Sequence, residues 1–256
     1  IIEYKSIHHP VISKTGMVVS QREIASKVGA EILRKGGNAV DAAVATGLAL
    51  AVVLPRAGNI GGGGFMLVYL KDLDKTIAID YREKAPKAAY RDLFLDEKGN
   101  YDRKKAQFSL LSAGVPGTVA GLHLALIKYG TMSWEEVIEP AITLAKEGFP
   151  IPHDLANILA SENYKKRLTS TTAGSKSFYK EGLKNYVAGE ILVQKDLAWS
   201  LGQLKDFGPK AFYEGEIAKK IVQEMEKNGG LITLQDLKNY RPVEREPVKG
   251  TYRGYD

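Results

Sequence analysis

Residues 39–54, AVDAAVATGLALAVVL, limit the possible folds more than any other stretch of this chain. The run is apolar almost all the way round a helical wheel, so a helix built from it must be buried on several sides. Asn38 stands where an N-cap is needed, and Asp41 falls in the first turn, where a negative charge meets the helix dipole. Pro55 ends the helix. The run falls short of the ~20 residues of a membrane span. Such a helix needs cover from other elements, and 44% hydrophobic residues in a chain of 256 are enough to form a substantial core.

Directly after it comes NIGGGGFMLVY, residues 59–69. Four consecutive glycines invite comparison with a phosphate loop. A Walker loop ends in Gly-Lys-Ser/Thr, whereas Phe65 follows Gly64. A dinucleotide fingerprint accepts Gly61 and Gly63, but its sixth position is Met66. Both motifs also need a following helix to hold the phosphate. Here Phe65 to Leu70 is a continuous apolar run with aromatics and reads as a buried strand. The glycines therefore predict a sharp turn, or a close backbone approach where a Cβ would not fit.

The other elements are read in the same way. Met17 to Val19 predicts a short buried strand, and Ser20-Gln21-Arg22-Glu23 a capping box opening a helix that Gly36-Gly37 stops. KDLDK is a turn between Phe65–Leu70 and the alternating TIAIDYRE, which makes a hairpin. Ser109 to Val115 reads as a further strand. A helix runs from Pro116 to Tyr129 and stops at Gly130, and Ser133 to Glu136 forms a second capping box for a helix that stops near Gly148. Residues 153–228 are mostly helical, broken by polar loops such as STTAGSKS. Thr233 to Asp236 opens a short helix, and REPVKGTYRGY gives two strand pieces. Strands at both ends and helices between them predict an α+β fold, with helices covering a mostly antiparallel sheet.

Charge and composition exclude several functions. The 36 basic and 30 acidic residues leave a net charge of +6, but the basic ones are scattered in groups such as Lys165-Lys166-Arg167 rather than laid in a stripe for nucleic acid. The chain has no cysteine, which removes thiol nucleophiles, thiolate zinc sites and disulfides. His8-His9, His123 and His153 show no helical metal-site spacing, so no metal is expected.

Two candidate sites remain. In IDYREKAP, Arg82 and Glu83 stand at a strand end, a rigid place for a guanidinium fork that matches a carboxylate. The competing reading is an ordinary surface ion pair with Asp80 or Glu83. TSTTAGS, residues 169–175, is rich in hydroxyls but has no neighbouring base, and reads as a surface loop.

Taken together and in order, LRKGGNAVDAAVATGLALAVVLPRAGNIGGGGFMLVY, IDYREKAP, SAGVPGTVAGL, YGTMSWEEVIEPAITLAKEGFPI, LITLQDLKNYRPVEREPV and YRGY resemble the γ-glutamyltransferases, also called γ-glutamyl transpeptidases or glutathione hydrolases. The likeness covers nearly the whole chain. It implies an N-terminal nucleophile hydrolase with an αββα sandwich, made from a precursor that cuts itself into a large and a small subunit. Residues 1–256 then correspond to a large-subunit portion, truncated towards its C-terminal end. The implied chemistry is attack on a γ-glutamyl amide by an N-terminal threonine, with its own α-amine as base, giving an acyl-enzyme that water or an amino acid or peptide amine releases. That threonine is expected on the small subunit, the chain's implied partner, so no catalytic residue is assigned here and no cofactor is implied. Arg82 matches the arginine of the family's D-x-R-E segment, which holds the substrate's α-carboxylate, and the resemblance reverses the ion-pair reading. Tyr81 departs from the residue expected beside it. Related acylases of cephalosporins or glutaryl amides, poly-γ-glutamate depolymerases, and an inactive scaffold remain alternatives. Export to the periplasm or outside the cell is implied by the resemblance alone.

Overall fold

The computed structural model describes residues 11–255. Helix α1 spans Glu23–Arg34 and α2 spans Ala39–Val53. Strands β1 (Phe65–Leu70) and β2 (Lys75–Asp80) form the expected hairpin, joined by a 3-10 turn that ends on Asp74 at φ 43°. Helices α3 (Arg103–Phe108), α4 (Thr118–Tyr129) and α5 (Trp134–Glu147) follow. A two-stranded ribbon of β3 (Phe149–Pro150) and β4 (Ile191–Leu192) brackets α6 (His153–Ala160), α7 (Glu162–Leu168) and α8 (Thr172–Phe178). The chain continues through α9 (Lys195–Phe207), α10 (Lys210–Tyr213), α11 (Glu216–Asn228) and α12 (Leu234–Asn239) to β5 (Val243–Arg245).

Helix α2 is the centre of the core. Val44, Ala45, Leu48, Ala49 and Val52 are wholly inaccessible, and α1, α4 and α5 pack around them. Helix α1 comes close because Gly29 has no side chain: a Cβ there would stand 2.3 Å from the Thr46 hydroxyl. The start of α2 is locked by a capping box between Asn38 and Asp41. Asp41 is fully buried and accepts hydrogen bonds from the Asn38 amide at 2.7 Å, the Thr131 hydroxyl at 2.7 Å and the Thr131 amide at 2.9 Å. Burial acts to raise its pKa, but these hydrogen bonds outweigh burial and hold the carboxyl below its ordinary value. At the other end of α2, the Gln194 side chain donates to the Val52 carbonyl at 2.9 Å and ties the helix to the start of α9.

The main sheet has the order β1-β2-β5, antiparallel throughout. Val68 and Ile79 on its inner face join the core with α2 and α4. The outer face carries Phe65, Leu67 and Tyr69, all exposed, and the register sets them opposite Asp80, Ala78 and Thr76. The strand expected to be buried is thus covered on one side only. Its residues are apolar on both faces, but among the described residues helices lie against only one.

Other expectations need correcting. Met17 and Val19 are exposed and belong to no strand; only Val18 packs inward, against Gly29. The Ser20 box does not form. Ser20 Oγ donates to the Arg22 carbonyl, and α1 starts after Arg22, whose guanidinium makes a fork to Asp154 at 2.7 and 2.8 Å. The N-cap position is thus occupied by a residue held in a tertiary ion pair, with no side-chain cap on the helix. Residues 109–115 hold a 3-10 turn capped by Ser109 instead of a strand, and only Val115 makes a bridge, to Lys84. STTAGSKS is largely helix α8, because Thr171 caps it through the Gly174 amide at 3.1 Å. Pro116 lies two residues ahead of α4, which begins at Thr118.

Candidate substrate-binding site at the end of β2

The ladder of β1 and β2 runs one step past the strands. Tyr81 and Gly64 exchange hydrogen bonds of 3.0 and 3.3 Å through their backbones. Arg82 then leaves the sheet. Its amide donates to Asp80 Oδ1 at 3.1 Å, and its carbonyl accepts from the Tyr240 hydroxyl at 2.8 Å. The Arg82 side chain is 60% exposed, and its nearest charge is Glu83 Oε2, 3.5 Å from Nε. That Glu83 oxygen is buried and has no hydrogen-bond partner among the described residues. The guanidinium is therefore held at its root and free at its tip, where it can receive a planar anion.

The glycine run explains how the site is framed. A Cβ on Gly63 would lie 2.5 Å from the Tyr81 carbonyl oxygen, 2.7 Å from the Glu83 nitrogen and 2.9 Å from Arg82 Cα. Gly64 makes room for the Tyr81 ring, which would stand 2.9 Å from an added Cβ, and Gly121 of α4 does the same from the other side at 2.2 Å. Burial raises the pKa of that tyrosine. The Gly62 carbonyl accepts from the Gly117 and Thr118 amides at 2.6 and 2.9 Å, which seats the run on the first turn of α4. The loop is a packing joint: its carbonyl faces a helix N-terminus where a phosphate loop would present amides.

Charges around Arg82 are ordered. Asp80 is held below the ordinary carboxylate pKa, first by the Arg82 amide and then by Arg245, whose Nε reaches Oδ2 at 2.8 Å. The Tyr240 pKa is pushed up to about 12 by burial, with the charges of Asp80 and Glu83 adding to it. The Tyr240 ring stacks on Tyr213 at 5.7 Å, and Lys84 Nζ lies 5.2 Å from its centre. A cleft of about 570 Å³ opens beside the run, lined by Asn59, Gly61, Lys176, Phe178, Gln194 and Lys195 among others, and it does not include Arg82.

The remaining candidates lie elsewhere. His123 packs edge-on against Trp134 at 5.2 Å, and burial lowers its pKa. His153 opens α6, and Thr169 and Thr171 make local helix-end bonds. His8 and His9 fall outside the described residues. Among the described residues no group of three or more His, Asp or Glu is placed to hold a metal. Tyr240 lies in the segment LITLQDLKNYRPVEREPV, but nothing in the sequence points to Arg82 as its partner.

The family profile for gamma-glutamyltranspeptidase matches residues 25–256. The chain belongs to this family. It is 52% identical over 252 residues to the glutathione hydrolase proenzyme of Escherichia coli (strain K12), an alignment covering 98% of this chain and 43% of that protein. It thus spans less than half the length of this curated relative. Its fold superposes on the Helicobacter pylori gamma-glutamyltranspeptidase crystal structure with a TM-score of 0.92 at 46% identity, covering 96% of this chain and 70% of that one. The likeness extends to a cephalosporin acylase from Bacillus halodurans, with a TM-score of 0.81 at 27% identity, covering 99% of this chain and 48% of that one. The α+β fold is that of these N-terminal nucleophile hydrolases. Among the described residues no helix is long and apolar enough to cross a membrane.

Proposed function

We propose that this chain is the large-subunit portion of an enzyme that transfers and hydrolyses γ-glutamyl groups, glutathione among its donors, and that Arg82 binds the donor's α-carboxylate. The observation that carries the reading is Arg82 itself: backbone fixed by Asp80 and Tyr240, guanidinium exposed. A carboxylate held by such a fork fixes the position of the γ-carbonyl, which lowers the entropic cost of attack. The nucleophile is a threonine on a small subunit from the same precursor. The exposed row Phe65, Leu67 and Tyr69 supports a second sheet seated on this one, the other half of an αββα sandwich. Periplasmic or extracellular location goes with this reading.

The test uses the full-length precursor. Arg82→Ala is expected to raise KM for a γ-glutamyl anilide by an order of magnitude or more, since charged hydrogen bonds contribute roughly 1.5–3 kcal/mol. Unchanged kinetics would end the assignment. The 256-residue chain alone is expected to give no turnover.

The likeness to the acylase favours one second reading. A glutaryl group keeps the carboxylate and drops the amine, so Arg82 would serve it equally. Rates on glutathione, a glutaryl amide and poly-γ-glutamate separate these donors.

A further inference from the structure

The two backbone polar groups of Arg82 are satisfied in an unusual way. Residues of a strand normally exchange them with the neighbouring strand. At Arg82 the β1 ladder has ended at Tyr81, and β5 has ended opposite Asp80. Both groups are met by side chains instead, the amide by Asp80 and the carbonyl by Tyr240. The Tyr240 contact is partly buried and the Asp80 contact is exposed, and together they favour one backbone conformation at Arg82.

We propose that Tyr240 and Asp80 are positioning residues for substrate binding, setting the direction in which the Arg82 guanidinium leaves the sheet. The inference rests on the assignment of Arg82 to the donor carboxylate. Each of the two is itself held. The Tyr240 ring lies nearly parallel to Tyr213, at 8°, and the Tyr213 hydroxyl donates to the Pro116 carbonyl at 3.0 Å and accepts from the Ala120 amide at 3.2 Å. Lys84 Nζ covers the Tyr240 ring while donating to the Arg241 carbonyl at 2.8 Å. Asp80 is oriented from its second oxygen by Arg245. The C-terminal arm thus grips Arg82 twice, through Tyr240 and through the Arg245–Asp80 pair. A long side chain magnifies small rotations at its root, so loosening either grip spreads the guanidinium over more directions without removing its charge.

The experiment measures donor KM and kcat for Tyr240→Phe in the full-length, matured enzyme, with a γ-glutamyl anilide as the probe. Phenylalanine keeps the ring and its stacking and removes only the hydroxyl. KM is expected to rise about fivefold while kcat stays within about twofold, a split that a general loss of folded enzyme would not produce. In an Arg82→Ala background the same change is expected to add less than twofold, because Tyr240 acts through Arg82. Asp80→Ala is the second variant, expected to move KM in the same direction, and it decides the matter if Tyr240→Phe does not mature. A normal KM in the positioning variant while Arg82→Ala raises KM overturns this inference alone, as does an equal effect in both backgrounds. A normal KM in Arg82→Ala overturns the functional assignment and this inference with it.

Discussion

The backbone of Gly63 lies so close to Tyr81 that a Cβ on the glycine would sit 2.5 Å from the tyrosine carbonyl oxygen. Backbone cannot swing aside as a flexible side chain can. Gly63→Val should therefore exceed the ~1–3 kcal/mol typical of overpacking, and the precursor should fail to fold or to cut itself. Soluble yield and the appearance of two subunits on a denaturing gel measure this. A variant that matures and works normally would contradict the packing role. Gly61, whose Cβ would meet nothing within 4 Å among the described residues, is the control: Gly61→Ala should be tolerated.

Asp41 gives a prediction with a pH signature. Its pKa is lower folded than unfolded, so its contribution to stability is present above the ordinary carboxylate pKa of about 3.9 and is lost as pH falls through the depressed folded value. Asp41→Asn should lower the urea midpoint near neutrality, by about 1–3 kcal/mol in stability, through donors left poorly met. The gap between the two proteins should narrow below about pH 4. A constant gap across that range would show that the charge is not what matters.

At the opposite end of the pH scale, the Tyr129 hydroxyl donates to Glu244 Oε1 at 2.6 Å and clasps the end of α4 to β5. Burial and that carboxylate push its pKa up to about 12, from an ordinary value of 10. A raised folded pKa means that the stabilisation is whole below pH 10 and disappears as pH climbs towards 12. Thermal melts of the chain and of Tyr129→Phe should differ at pH 8 and converge as pH rises from 10 towards 12. Parallel curves would remove the clasp.

The outer face of the sheet predicts association. Phe65, Leu67 and Tyr69 form an apolar row along one strand, and such a patch invites a partner or aggregation. Leu67→Glu in the precursor should weaken the hold between subunits, seen as dissociation on size exclusion after self-cleavage. The isolated chain should bind an apolar dye, and Leu67→Glu should reduce that binding. An unaltered dye signal would mean that this face is not the sticky one.

The sequence revealed features whose causes are local. The cap expected at Asn38, the box at Ser133 and the helix start at Thr233 each involve side chains three residues apart, and all three form. Gly148 and Gly229 end helices at φ 88° and 72°, conformations that glycine alone adopts freely. The failures have distant causes. Arg22, just ahead of α1, pairs with the distant Asp154, and among the described residues helices lie against one face of β1 and not the other. The role proposed for Arg82 rests on its resemblance to a known segment, whereas Gly63 was legible as a place where a Cβ would not fit. The Tyr240 contact was not, because nothing near residue 240 refers to residue 82.

That separation has a consequence for biosynthesis. A ribosome delivers the chain from its N-terminus, and the hairpin carrying Arg82 emerges long before the residue that completes its hydrogen bonding. Until Tyr240 arrives, the Arg82 carbonyl has only water to satisfy it. On the proposal that Tyr240 positions Arg82, the guanidinium acquires its direction only once residue 240 has been made. Nascent chains stalled before residue 240 should therefore hold a loose Arg82.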